Sequence, residues 1–138
     1  MTLVSDSSMT LAWYFEDEKT DASLAVLNRA VEAGAIVPVL WPLQLLSGLQ
    51  AAVRRGRITA AYRNASLDDL RALVIVIDPV TNQHAWSATL GFCERFGLTP
   101  YDAAYLELAQ RLPLPLATLD SALIRAAQAE SVPLVGTT

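Results

Sequence analysis

The sequence predicts an α/β domain, a mostly parallel central sheet flanked by helices. Three observations predict it. Short apolar runs such as Ile36 to Val39, Val74 to Ile77 and Val132 to Val135 alternate with longer segments whose apolar residues recur at helical spacing. Such alternation is the pattern of successive strand–helix–strand units, whose strands run parallel. The 138 residues carry 53% hydrophobic and 17% charged side chains, which suits one core in a single domain spanning residues 1–138.

The elements follow in order. Leu3-Val4-Ser5 reads as a short first strand, and Ser7 to Phe15 as the start of a helix. Asp17 to Ala33 reads as a second helix, with Leu24, Leu27 and Val31 on one face and Gly34 as its stop. Ile36 to Val39 is the second strand, and Pro42 opens the next helix at its first position. There Leu45, Leu46, Leu49, Ala52 and Val53 fall at helical spacing before Gly56 ends the run. Thr59 to Leu73 is a further helix, and Val74 to Ile77, all β-branched, is the clearest strand. Val80 to Phe96 is helical up to Gly97, and Thr99-Pro100 caps a helix reaching about Leu112. Leu114 to Ala117 is a strand, Ser121 to Glu130 the last helix, and Val132 to Val135 closes the sheet.

Composition narrows the function. A net charge of −4 argues against coating nucleic acid by bulk positive charge, while leaving room for a small acidic site that meets RNA through a metal. The apolar fraction is high for a lone monomer, so part of the surface is expected to be covered by a partner. The apolar runs are too short or too interrupted to cross a bilayer, and no basic stretch precedes an apolar one at the N-terminus; no membrane span or signal peptide is expected, and the location is expected to be cytoplasmic. Cys93, the single cysteine, lies between Phe92 and Phe96 and reads as a buried thiol.

Three acids occupy similar places. Asp6 follows the first strand and precedes a helix, Asp120 does the same after the fourth strand, and Asp102 lies in the first turn of the helix opened by Thr99-Pro100. Ligand sites of open parallel sheets form at the carboxyl ends of strands, near a switch in strand order. Carboxylates gathered there repel one another unless a cation joins them, and Mg²⁺ takes one or two carboxylates together with waters and phosphate oxygens. Each acid taken alone is explained as well by helix capping, because Asp at a helix start accepts backbone N–H bonds and complements the dipole.

The residues around the acids go further. Leu3-Val4-Ser5-Asp6-Ser7-Ser8 with Leu11-Ala12-Trp13 resembles the first motif of PIN domains, and of VapC-type toxins in particular. Val37 to Leu43 resembles the approach to their second motif, Leu98 to Ala109 the third, Leu116-Ala117-Thr118-Leu119-Asp120 the fourth, and Val132 to Thr137 the usual ending. The resemblance implies a PIN-like parallel sheet, usually in a homodimer. It also implies a Mg²⁺- or Mn²⁺-dependent endoribonuclease, the toxin of a type II toxin–antitoxin pair with a VapB-like antitoxin partner and an RNA substrate. By position, Asp6, Asp102 and Asp120 would be metal ligands or their supporting carboxylates, and the Thr118 hydroxyl would support the site.

Three positions depart from the family, among them Ser5, which replaces the usual apolar residue before the first Asp. Gln44 stands where the second motif has Glu, and Ser47 where it often has Asn. Gln44 shares a helix face with Gly48 and Ala51, away from the leucines, so it is expected to point at the site. Its amide oxygen can coordinate or accept a hydrogen bond, but the side chain brings no charge and cannot serve as a base. Three accounts stay open: three aspartates hold a weaker metal, the chain is an inactive family member, or the residue was engineered to disarm a toxin. Glu107 is no obvious substitute; it lies about 140° round the helix from Asp102 and pairs more naturally with Arg111.

Other residues read more plainly. His84, the only histidine, has no second His or Cys at ligand spacing, which disfavours zinc and histidine-based triads. Arg54, Arg55 and Arg57 form a basic cluster at a helix end, solvated or phosphate-tracking. Trp13, Tyr14 and Phe15 are expected in the core, or in a groove for an antitoxin helix, and Trp86 in the core or a dimer interface. Phospho-receiver and haloacid-dehalogenase-like folds need a lysine near the phosphoryl group late in the chain, and Lys19 is the only lysine. Flap-type nucleases need insertions that 138 residues cannot hold.

Overall fold

A computed structural model describes residues 2–136; Thr137, in the expected family ending, lies outside them. Among the described residues five strands form one sheet: β1 (Val4–Ser5), β2 (Ala35–Val37), β3 (Ile75–Ile77), β4 (Leu116–Ala117) and β5 (Leu134–Val135). Their order is β3-β2-β1-β4-β5. Every neighbouring pair is parallel, with Val4 opposite both Ile36 and Leu116. The sheet expected to be mostly parallel is wholly so. The order reverses between β1 and β4, which places the switch point there.

The strands are shorter than the sequence suggests, and prolines explain much of it. Pro115 and Pro133 have no N–H to give to the ladder, so they contribute only carbonyls, to Val4 N at 2.9 Å and Leu116 N at 2.8 Å. Pro38 likewise ends β2 at Val37. The run Val74 to Ile77 forms the outer strand β3, and its residues are half-buried or exposed rather than central.

The helices are α1 (Ser7–Ala12), α2 (Asp21–Ala33), α3 (Trp41–Arg54), α4 (Ala60–Ala72), α5 (Leu90–Phe96), α6 (Pro100–Arg111) and α7 (Ser121–Ala129). The α1 segment stops at Ala12, before the Phe15 expected from sequence, and Trp13, Tyr14 and Phe15 continue in turns with their rings buried. α2 starts at Asp21 rather than Asp17, because Thr20 and Ser23 form a reciprocal capping box with bonds of 3.0 and 2.9 Å. Its buried face is Ser23, Val26 and Ala30, not the larger apolar stripe read from sequence; Leu24 is 36% and Val31 56% exposed. Gly34 closes α2 at φ +77°, where a Cβ would meet the Val74 carbonyl at 2.8 Å. Glycine is the residue that suits both the backbone and the space.

The segment Val80 to Phe96, expected as one helix, is broken. Thr81–His84 is a 3₁₀ turn, Ala85–Thr89 a π-helical turn, and α5 follows. The changed periodicity throws the apolar positions out of phase with the core. Trp86, expected in the core or a dimer interface, is therefore outside the core at 94% exposure, while Cys93 is only half-buried.

α6 is the helix around which the site is built. Ala103 through Ala109 are all buried, with Tyr105, Leu106 and Leu108 in the same cluster as Val4, Leu49, Phe92, Leu116 and Leu123. Burying Glu107 there requires a partner. Arg111 supplies it: Nε meets Glu107 Oε2 at 2.7 Å, while an NH2 bond of 2.6 Å reaches Asp78 Oδ2. The pairing of Glu107 with Arg111 read from sequence is present, with Asp78 joining it. No helix among the described residues is long and apolar enough to cross a membrane.

Candidate active site

The carboxyl ends of β1 and β4 lead directly into the site. β1 ends at Ser5, and Asp6 caps α1 from an extended backbone, Oδ1 accepting Met9 N–H at 2.9 Å. β4 ends at Ala117, and Asp120 caps α7, Oδ2 accepting Leu123 N–H at 2.9 Å. Adjacent strands thus deliver both acids to the switch point. Asp102 is the third residue of α6, which begins at Pro100 and is capped by Thr99, whose hydroxyl accepts Asp102 N–H at 3.2 Å. Capping and site-building coincide for Asp6 and Asp120, while Asp102 stands in the first turn of a helix that Thr99 caps.

Asp6 is the buried member, 2% exposed. Its Oδ2 accepts a short hydrogen bond from the Thr118 hydroxyl, and Oδ1 accepts one from Ser8 Oγ at 2.7 Å. Both hydroxyls bridge the two strand ends. Thr118 Oγ1 accepts Asp120 N–H at 3.0 Å, and Ser8 Oγ accepts Leu119 N–H at 3.0 Å. Thr118, singled out by sequence, therefore sits where it was expected. Ser8 was missed; its signal is its place two residues after Asp6 in the first turn of a capped helix, the usual reach of a short hydroxyl.

The electrostatics are those of crowded carboxylates. Burial pushes the Asp6 carboxyl up to about 6, against the lowering effect of Thr118, Met9 N–H and Ser8, and the Asp102 charge adds to the rise. Burial also raises Asp102, with Asp120 the next cause and Thr99 opposing. Asp6 thus feels Asp102, and Asp102 feels Asp120. Gln44 joins this group through Tyr105, a fully buried residue of α6 whose hydroxyl donates to Gln44 Oε1 at 2.7 Å. Tyr105 also escaped the sequence reading, although its place three residues after Asp102 puts both on one helix face.

Other candidates lie elsewhere. Arg57 is not free to track phosphate: it bonds Asp17 and Glu18, each at 2.6 Å, and its guanidinium lies 4.1 Å from the Phe15 ring centre. Arg54 and Arg55 remain exposed. Among the described residues no group of three His, Cys, Asp or Glu side chains stands at metal-binding spacing, and His84 has no such company.

These features agree with what the chain is similar to: it belongs to the PIN domain family, whose sequence model matches residues 3–129, and within that family to the VapC type. Ribonuclease VapC3 of Mycobacterium tuberculosis is 35% identical over 109 residues, covering 78% of this chain and 75% of the relative. Ribonuclease VapC9 of the same organism is 29% identical over 130 residues, 93% of each chain. Two solved structures share the fold. PAE2754 from Pyrobaculum aerophilum superposes with a TM-score of 0.67 at 22% identity, over 91% of this chain and 86% of its own. FitAcB from Neisseria gonorrhoeae does so at 0.64 and 13% identity, over 96% of both.

Proposed function

We propose that this chain is an endoribonuclease toxin of the VapC kind, acting with Mg²⁺ or Mn²⁺ on RNA phosphodiester bonds. The observation that carries the reading is the convergence of Asp6, Asp102 and Asp120 at the β1–β4 switch point, with Asp6 and Asp102 both pushed up by burial and by a like charge. The donor set fits a hard divalent cation. Mg²⁺ needs only one or two carboxylates from the protein and fills its remaining positions with water and phosphate oxygens, so a three-acid cage is not required. Asp6, Asp102 and Asp120 are the residues from which those one or two carboxylates would come. When bound, the metal would activate water and stabilise the charge that builds on the phosphate. The chain's own part is positional: Thr118 and Ser8 fix both oxygens of Asp6, and the caps of α1, α6 and α7 aim the acids.

A second reading has one observation in its favour, the amide of Gln44 where the family has an acid. On that reading the chain is an inactive PIN-fold protein that only binds its antitoxin. Both readings share the partners. A groove beside Tyr14, Leu24, Leu27, Val31 and Tyr62 suits the apolar face of a VapB-like helix. The exposed apolar residues Trp86, Leu90 and Tyr101, which line one pocket, suit a second copy in a homodimer.

RNA cleavage with Mg²⁺ or Mn²⁺ separates the readings. If this chain cuts and Asp102→Ala does not, the three aspartates suffice. Cleavage by Gln44→Glu alone would make the chain a disarmed nuclease.

A further inference from the structure

Gln44 is half-buried on α3, and its amide is not free to face either way. The Tyr105 hydroxyl donates to Oε1 at 2.7 Å. Burial, then the charges of Asp6 and Asp102, hold this phenol far above its ordinary range, so it keeps its proton and remains a donor. The oxygen end of the amide is engaged. Nε2, with its two N–H groups, is the end left over. It takes no hydrogen bond among the described residues, and it is not one of their buried unpaired side-chain atoms, a position held there by Trp13 Nε1. It therefore reaches solvent, next to the Tyr105 hydroxyl that feels the charges of Asp6 and Asp102.

Resting on the nuclease reading, we propose that Gln44 binds the RNA backbone rather than the metal: Nε2 donates to a non-bridging phosphate oxygen, and Tyr105 is the positioning residue that fixes which way the amide faces. The chemistry favours this division. A fourth carboxylate would strengthen the hold on a cation but repel the phosphodiester. An amide removes that charge and offers a donor to an anionic oxygen, the stronger kind of hydrogen bond. Coordination through Oε1 would have to share that oxygen with the Tyr105 hydroxyl, whereas Nε2 has no competing partner among the described residues.

Two binding measurements on the folded full chain test this. One is Mn²⁺ titration without RNA, read by electron paramagnetic resonance. The other is fluorescence anisotropy of a short single-stranded RNA in saturating Ca²⁺, with the RNA checked for integrity. Gln44→Met keeps length and neutrality but loses the donor. It is expected to leave Mn²⁺ affinity within about threefold and to weaken RNA binding about tenfold, the scale of one hydrogen bond to a charged group. Tyr105→Phe, whose fold is checked by circular dichroism, is expected to weaken RNA binding at least threefold without lowering Mn²⁺ affinity. A larger loss of Mn²⁺ affinity in Gln44→Met would make Gln44 a metal ligand and overturn the proposal. So would RNA binding by Gln44→Met within threefold of the unaltered chain, which would leave the nuclease reading standing. If the unaltered chain binds no RNA, the nuclease reading falls and this proposal with it.

Discussion

Thr118 and Asp6, 112 residues apart in sequence, are joined by a short hydrogen bond from the threonine hydroxyl to Asp6 Oδ2. The same hydroxyl accepts the N–H of Asp120 at 3.0 Å. One oxygen atom thus fixes the relative position of two acids on neighbouring strand ends. Replacing it tests both stability and the site. Thr118→Val keeps the shape and removes the hydroxyl, leaving a buried carboxylate oxygen and a backbone N–H without their partner. The expected cost is about 1–3 kcal/mol, read by denaturant unfolding, together with loss of RNA cleavage. Unchanged stability with unchanged cleavage would mean that the bond positions nothing.

The state of Asp6 predicts how stability changes with pH. Burial raises its carboxyl to about 6 in the fold, against an ordinary 3.8, so the native protein binds this proton more tightly than the unfolded chain does. Stability from this group is greatest below pH 4 and is lost as pH rises toward 6, by about 3 kcal/mol for a shift of this size. The raised carboxyl of Asp102 acts in the same direction. Unfolding followed in EDTA across this range should show the decline, and Asp6→Asn should flatten most of it. Added Mn²⁺ should restore stability above pH 6. A metal-free protein whose stability rises steadily from pH 4 to 6 would contradict this account. Asp78 works at lower pH and with the opposite sign: burial pushes it up, but Arg111 and Thr81 together hold it below the usual carboxylate range.

Arg111 is predicted to matter for folding rather than for chemistry. It is the partner of two buried acids, Glu107 and Asp78, and it ties the end of α6 to the end of β3. Arg111→Ala would leave both acids buried without a cation, a loss of about 3–5 kcal/mol, visible as a lower denaturant midpoint. A loss under about 1 kcal/mol would mean that water reaches and screens the pair.

Trp86 gives the reverse expectation. At 94% exposure it contributes little to the core, so Trp86→Ser should change monomer stability by no more than about 0.5 kcal/mol. If its face joins two copies, the substitution should lower the molecular mass seen by sedimentation at a given concentration. Sedimentation unaltered by the substitution would assign that face to something other than self-association.

The sequence carried the topology class and the acids, because both depend on local patterns. Strand–helix alternation shows itself in composition, and Asp6, Asp102 and Asp120 each sit at a helix start that the sequence marks. What it did not carry depends on contacts between distant segments. The buried face of α2 was misread since the largest apolar residues, Leu24 and Val31, border a groove while small Ser23 and Ala30 pack inward. Trp86 was misplaced because a π-helical turn alters the periodicity on which the reading rested. Ser8 and Tyr105 were missed for a related reason: their partners, Leu119 and Gln44, lie 111 and 61 residues away. Gln44 was expected to point at the site; its amide oxygen accepts from Tyr105, and which end of the amide is free has no local signature.

The switch point between β1 and β4 has a consequence for the order of synthesis. Asp6 is made 112 residues before Thr118, and Thr118 and Asp120 come only after the chain has passed α6. A nascent or truncated product that stops short of β4 carries the first acid without the residues that hold it in place. On the nuclease reading the site would be complete only once β4 has been made and folded against β1, so an interrupted chain would lack it.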